Sequence, residues 1–255
     1  MSSYAGRHAE LYDLFYTEKR YEDEARFVHT CLGKFAIEPT RNILELACGT
    51  GRHAFELEKY SYEITATDSS VDMLRIARER AKELRSKVEF GEADMQRLRA
   101  PTAPYDAAIC LFDSIGYLQT NEALAAAFQG INQNLRSNGL FVFEFWHAAA
   151  MLSQYSPLRI RRWNTPHGEV LRISETSLDP KNQLAKVAYT VYELRKDGTY
   201  SSFAETQTNR YFLVQEMEAL LSAAGLEILK FFAGFQEDES ITAQTWHVVG
   251  IARKI

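Results

Sequence analysis

The 255-residue sequence predicts an α/β fold, a doubly wound, Rossmann-like sheet interrupted late in the chain by an antiparallel insertion, and three observations carry that expectation. The apolar run Ile43 to Cys48 ends in the small-residue turn Gly49-Thr50-Gly51 and leads into a helix, as a strand buried on both faces does. A second apolar run, Glu63 to Thr67, closes on Asp68, which completes a strand-helix-strand unit with a carboxylate at the neighbouring strand end. From Arg159 to Phe212 the pattern switches to alternation, with turns at Asp179-Pro180-Lys181-Asn182 and Lys196-Asp197-Gly198-Thr199, which reads as three or four antiparallel strands.

Residues 1–36 read as an aromatic-rich helical lid, with Tyr21, Ala25, Val28 and Leu32 at helical spacing. The core occupies 37–150 and 213–255, and 151–212 is the insertion, a substrate cover or a dimer face. After Asp68, Ser69 or Ser70 caps a helix from Val71 to Leu84, where Asp72 suits the helix dipole. Lys87 to Gly91 is the third strand, a loop with Pro101 and Pro104 follows, and Tyr105 to Phe112 is the fourth. A helix from Thr120 or Asn121 to Leu135 leads to the fifth strand, Leu140 to Phe145. Gln215 to Ala224 is helical, Gly225 stops it, and Leu226 to Phe232 with Trp246 to Ala252 form a closing antiparallel pair.

With 46% hydrophobic residues the chain can bury a full core. A net charge of −5 argues against a nucleic-acid footprint, Arg159, Arg161 and Arg162 beside Trp163 being the local exception. Three cysteines, Cys31, Cys48 and Cys110, read as reduced thiols of a cytoplasmic protein. No leader-like opening and no apolar window of roughly 18 residues is present, so no membrane partner is expected.

The glycine turn suits two cofactor classes, because Gly49, Gly51 and Ala54 also satisfy a loose nicotinamide pattern. Three features favour S-adenosylmethionine. Glu45 sits inside the first strand, where a carboxylate is expensive unless it serves the ligand. The first strand lies far from the start of the chain. A third acidic signal, Glu92-Ala93-Asp94-Met95, follows the third strand and could meet an adenine amino group. Met73, at the start of the helix after Asp68, would face the same base. Methyl transfer is an in-line displacement that needs positioning more than acid-base chemistry. The sequence offers no His/Asp/Glu cluster at ligand spacing, so no metal site is expected, and His147 is the only histidine at a core strand's carboxyl end. Aromatic walls from Tyr4, Tyr12, Tyr21, Tyr117 and Trp146 would exclude water and suit an amine acceptor.

The segments ELACGTG (45–51), TDSS (67–70) and EADM (92–95) resemble the class I S-adenosylmethionine-dependent methyltransferases, in register over residues 41 to 146. The resemblance implies their seven-stranded sheet and that cofactor. The opening Tyr4 to Asp13, Lys19-Arg20-Tyr21 with Glu24-Ala25, Leu111 to Tyr117, Phe143 to Trp146, and Arg210 to Met217 are similar to the nucleotide-linked amino-sugar N,N-dimethyltransferases of the desosamine type. That likeness implies that Tyr4 closes over the reacting centre, Tyr12 and Tyr21 line the cofactor, and Met95 and Phe112 flank its adenine. Two positions depart from it. Tyr117 stands where that family has histidine, and the loop Gly234 to Thr242 is acidic where theirs carries an arginine suited to a pyrophosphate. Glu237, Asp238 and Glu239 would repel two phosphates, and Arg159, Arg161, Arg162 or Arg172 could serve an acidic acceptor instead.

The expected cofactor-binding set is therefore Tyr12, Tyr21, Glu45, Ala47, Gly49, Gly51, Asp68, Ser69, Met73, Asp94, Met95 and Phe112, and the catalytic set is Tyr4, Tyr117 and Trp146. The expected activity is N-methylation of a small, amino-sugar-like amine. Methylation of a hydroxyl or a peptide terminus is the alternative, and a non-catalytic cofactor-binding module is the reading from another class. The expected partner is a small-molecule acceptor, joined by a second copy bound through the insertion if the insertion is a dimer face rather than a substrate cover.

Overall fold

The computed structural model describes residues 4–98 and 104–255, so Pro101 lies outside the described residues. Helices α1 (Arg7–Phe15) and α2 (Tyr21–Phe35) open the chain, and α2 buries the stripe Tyr21, Ala25, Val28 and Leu32. There follow β1 (Asn42–Leu46), α3 (Arg52–Glu58), β2 (Glu63–Asp68), α4 (Val71–Leu84), β3 (Glu89–Glu92), β4 (Tyr105–Cys110), α5 (Asn121–Asn134) and β5 (Leu135–Trp146). A short α6 (Ala148–Gln154) leads to β6 (Leu158–Thr165), β7 (Gly168–Asp179), β8 (Leu184–Arg195) and β9 (Tyr200–Arg210). The chain closes with α7 (Val214–Ser222), β10 (Leu226–Ala233) and β11 (His247–Lys254).

Seven strands form one sheet in the order β10-β11-β5-β4-β1-β2-β3. β11 pairs antiparallel with both β10 and β5, and the other neighbours are parallel. Both faces are covered. Ala25, Val28 and Leu32 of α2 pack with Ile43 and Ile109 on one side, and Phe128 of α5 and Met217 of α7 pack with Leu44 and Phe141 on the other. This explains why Ile43, Leu44 and Leu46 of β1 and Ala107 to Cys110 of β4 form apolar runs rather than an alternation. The inserted strands β6 to β9 form a separate four-stranded antiparallel meander. Leu11 and Phe15 of α1 pack against its Val170 and Val191. α1 is thus held between the two sheets, over the carboxyl ends of the parallel strands.

Several boundaries differ from the expectation, each for a local reason. The first strand stops at Leu46 rather than Cys48 because Ala47 turns to φ 52°. The fourth stops at Cys110 rather than Phe112 because Phe112 and Asp113 both adopt φ 56°. The fifth begins at Leu135, which pairs with Tyr105 before the chain bends at Asn138. The α4 cap agrees with the expectation: of Ser69 and Ser70 it is Ser70, its Oγ accepting the Met73 N–H at 3.3 Å. Helix α6 has no counterpart among the expected elements.

Gly51 is the backbone position on which the first turn depends. It sits at φ +78°, and a Cβ there would stand 2.9 Å from the Phe90 ring. Gly51→Ala is expected to cost about 1–2 kcal/mol of stability through the positive φ and this contact. Urea unfolding checks it, and an unchanged midpoint would mean that the turn relaxes freely.

Candidate active site

The carboxyl edge of the parallel sheet holds a row of carboxylates. Asp68, at the end of β2, accepts the Gly49 N–H on Oδ2 at 2.8 Å and the Ser70 N–H on Oδ1 at 2.7 Å. Those bonds fix the glycine turn and the start of α4 to one group, and burial still pushes its pKa up. Glu45, on β1, is 2% exposed, and burial with Asp68 nearby pushes its carboxyl up to about 8. Its Oε2 has no hydrogen-bond partner, and Oε1 lies 4.0 Å from His53 Nδ1. His53 Nε2 in turn meets Glu24 Oε2 at 2.7 Å. Tyr12, Tyr21, Glu45, Ala47, Cys48 and Phe112 surround a cleft whose free space is about 30 Å³, room for a water molecule.

The N-terminal segment closes this cleft through polar anchors. The Gly6 N–H donates to Asp72 Oδ2 at 2.6 Å, Ser70 Oγ donates to the Tyr4 carbonyl at 2.8 Å, and Thr50 Oγ1 donates to Asp13 Oδ1 at 2.9 Å. Asp13 also pairs with Arg80 of α4. Beneath these anchors Tyr12, Met73 and Ala9 pack with Tyr4, Tyr16 and Phe112.

The hydroxyls of Tyr4 and Tyr117 lie 2.7 Å apart, and Tyr117 donates onward to Gln207 of β9 at 3.3 Å. Burial pushes both phenols far above their ordinary range, so both stay protonated. Glu205 of β9 accepts from the Tyr4 N–H at 2.9 Å and the Gln207 side chain at 3.0 Å, and meets His8 Nδ1 at 2.7 Å. Burial alone would raise the Glu205 pKa, but these contacts hold it low. Tyr4 itself sits at φ 60°. Ala47 and Phe112 of the cleft lining also have positive φ, as do Asp113, next to Phe112, and Tyr4, packed with Phe112, strain that the surrounding contacts must over-determine.

The expected site residues fall into two groups. Tyr12, Tyr21, Glu45, Ala47 and Phe112 line the cleft, and Tyr4 and Met73 pack with Tyr12 and Phe112. Gly49 and Asp68 bond each other, the Gly51 N–H donates to the carbonyl of the lining residue Cys48 at 2.9 Å, and Tyr117 connects through the Tyr4 hydroxyl. Asp94 and Met95 lie past the end of β3. Asp94 Oδ1 accepts the Gln96 N–H at 2.9 Å, and Met95 Sδ touches Cys110 Sγ at 3.8 Å. Ser69 is exposed beside Asp68. Trp146 does not join the tyrosine pair. It packs with Ala148, Met151, Tyr211 and Trp246, because the chain turns into α6 immediately after β5.

A His/Asp/Glu cluster that linear spacing does not show is assembled by the fold. Asp113, Glu144 and His247 bring ligand-capable atoms within 4.8 Å of one another. His247 Nδ1 lies 3.0 Å from both Asp113 Oδ2 and Glu144 Oε1, and Glu144 Oε2 accepts the Phe112 N–H at 2.6 Å. Linear spacing hides the trio, since β11 runs antiparallel and delivers its first residue to the edge where the parallel strands end. His147, the expected histidine at that edge, instead meets the Thr245 carbonyl through Nδ1 at 3.1 Å. Asp113 raises the His247 pKa to about 11, so the imidazolium offsets the two buried carboxylates and pins the strained Phe112-Asp113 turn. His53, Glu24 and Glu205 were also missed, for each reads as an ordinary helix or strand polar residue.

A family model described as a methyltransferase domain matches residues 43–139. The dTDP-3-amino-3,4,6-trideoxy-alpha-D-glucopyranose N,N-dimethyltransferase of Streptomyces venezuelae is 29% identical over 225 residues, 87% of this chain and 90% of that protein. The dTDP-3-amino-3,6-dideoxy-alpha-D-glucopyranose N,N-dimethyltransferase of Streptomyces fradiae is 26% identical over 231 residues, 89% of this chain and 86% of that one. A crystal structure of an S-adenosylmethionine-dependent methyltransferase from Clostridium acetobutylicum matches the fold with a TM-score of 0.83 at 21% identity, over 96% of this chain and 97% of that one.

The His247 imidazolium has a testable pH signature. A folded pKa raised from the ordinary 6.5 to about 11 contributes stability that is complete below pH 6.5 and is lost as pH climbs toward 11. His247→Gln is expected to lose about 1–3 kcal/mol at pH 6, a range discounted because the imidazole is half-exposed. The gap to the unsubstituted protein should narrow as pH rises, and a gap independent of pH in denaturant titrations would deny the ion pair.

Proposed function

The chain is an S-adenosylmethionine-dependent methyltransferase of the class I fold, and from that premise we propose that it methylates the nitrogen of a small-molecule amine held beneath the N-terminal helices. The observation that carries this reading is the Tyr4–Tyr117 hydroxyl pair, 2.7 Å apart, with the Tyr12 ring packed edge-on against Tyr4. The similarity to two enzymes named for N,N-dimethylation of amino sugars supports the same acceptor atom.

The residues present fit the cofactor. Asp68, aligned by two backbone N–H groups, keeps lone pairs for ribose hydroxyls. Glu45 Oε2 and the Tyr21 hydroxyl, both buried without partners, would take the polar amino-acid end. A Cβ at Gly49 would meet nothing within 4 Å, so the backbone there is open to close approach. Phe112 and Met73, with Asp94, Met95 and Ser69 beyond, would border the base. When bound, the cofactor supplies a methyl group on a sulfonium, open to attack by a lone pair.

Everything else falls to the chain. Burial disfavours a charged ammonium, so an amine entering the pocket is favoured in the neutral form that carries the lone pair. The protonated Tyr4 and Tyr117 hydroxyls can accept its N–H and hold the nitrogen in line. A hydroxyl acceptor would need a base there, and the groups that Tyr117 bonds are Tyr4, Gln207 and Asn209, none of them basic. Because the closed cleft has room for only a water, the N-terminal segment would release its anchors to Asp72, Ser70 and Thr50 for each exchange of cofactor. We place the protein in the cytoplasm on its three free, buried cysteines; among the described residues, no helix is long and apolar enough to cross a membrane.

A panel of amines, amino sugars and hydroxylated acceptors tests the reading by S-adenosylhomocysteine release and product mass. Mass gain on nitrogen is expected, and transfer only to oxygen would overturn it. Asp68→Ala should weaken S-adenosylhomocysteine binding by about 1.5–3 kcal/mol per charged hydrogen bond lost, measured calorimetrically, and equal affinity would place the ribose elsewhere. Tyr4→Phe should lower kcat about ten- to a hundredfold with little change in cofactor affinity. A parallel loss in both would make Tyr4 a covering residue only.

A further inference from the structure

Arg172, in the middle of β7, is 7% exposed, and four rings surround its guanidinium. The centroids of Phe15, Tyr16, Trp163 and Tyr189 lie 4.6, 5.6, 5.3 and 5.2 Å away. Ring faces attract the positive charge but accept none of its N–H groups in the plane of the fork. Nε and Nη1 are buried without any hydrogen-bond partner, and among the described residues no carboxylate lies within ion-pair distance. Glu205, paired in register with Tyr189 on the next strand, is taken up by the Tyr4 N–H, Gln207 and His8. A desolvated guanidinium with open donors is costly, and the partner that fits its fork is an oxyanion.

The location ties this to the reacting centre. Tyr16, against the guanidinium, also packs on Tyr12 and Phe112 of the cleft, with centroids 4.8 Å from each. Tyr189, on another side of it, packs on His8 at 5.7 Å, and His8 packs on Tyr4 at 5.2 Å. The other three arginines considered from the sequence are excluded by surroundings. Arg161 and Arg162 are exposed and face Glu18 and Glu169, and Arg159 is exposed with its guanidinium 5.9 Å from the Trp246 ring.

We infer that Arg172 is the anion-binding residue of the acceptor pocket, and that the acceptor is an amine that also carries a carboxylate or a phosphate. This rests on the amine reading above and narrows it. The nitrogen would face Tyr4 and Tyr117 while the oxyanion meets the guanidinium across the pocket.

Two measurements test this separately from the amine reading. The first needs no methyl transfer: melting temperature of the S-adenosylhomocysteine-loaded protein with acetate or inorganic phosphate, against Arg172→Gln. The anion should raise Tm in the unsubstituted protein and not in the variant, and an equal rise in both would overturn the site. The second compares matched acceptors, amino acids with their decarboxylated amines and phosphorylated amino alcohols with the free alcohols. The unsubstituted enzyme should prefer the anionic member in kcat/KM by at least about tenfold, chiefly through KM, and Arg172→Gln should erase that ratio. A preference for the neutral members would overturn the inference while leaving N-methylation intact. An anion-dependent Tm lost with Arg172, alongside transfer to oxygen only, would support the anion site and overturn its amine. Should the Gln variant not fold, Arg172→Lys keeps the charge but loses the fork, and the preference is expected to fall at least about fivefold. An unchanged preference in the Lys variant would overturn the bidentate contact.

Discussion

Burying carboxylates at the carboxyl edge of the parallel sheet is the constraint from which the rest of the structure follows. Four acids, Glu45, Asp68, Asp113 and Glu144, lie at or near the ends of β1, β2, β4 and β5. Each would cost several kcal/mol if left alone in an apolar setting. The chain offsets them differently. Asp68 takes backbone N–H groups, and Asp113 and Glu144 share the His247 imidazolium. Glu45 keeps one oxygen without a partner. The first solution shapes the turn, the second pins a strained loop, and the third leaves a polar atom facing the cleft.

The N-terminal helix α1 and the inserted sheet complete that edge. α1 and the residues before it meet that edge through short polar contacts laid over a small apolar cluster of Ala9, Tyr12 and Met73. The other side of α1 packs on β7 and β8, so the insertion and α1 form one wall. Glu205 joins them, gathering the Tyr4 backbone, His8 and Gln207 at one carboxylate. Positioning within that wall, rather than an acid or base, is the chemical resource the fold offers for an in-line displacement.

The core was legible because its signals are local. The run from Asn42 to Gly51, the distance to Asp68, and the alternation after Arg159 each report one element and its neighbour, and the seven-stranded order follows from them with the resemblance. Groups assembled by topology were not legible. His247 reaches Asp113 and Glu144 only because β11 is antiparallel, and Glu205 reaches Tyr4 only because β9 folds back over the sheet edge. Strand ends were misplaced where non-glycine residues take positive φ, as at Ala47 and Phe112, since residue type gave no warning there. Trp146, expected as an aromatic wall, shows the same limit, because the turn into α6 places its ring in another cluster.

The most direct measurement is a crystal structure with S-adenosylhomocysteine bound. The expected result has the ribose hydroxyls within about 3 Å of the Asp68 carboxylate and the sulfur facing the Tyr4–Tyr117 hydroxyls beneath a closed α1. A ligand lying elsewhere, or one whose sulfur points away from those tyrosines, would contradict the arrangement on which the proposed transfer depends.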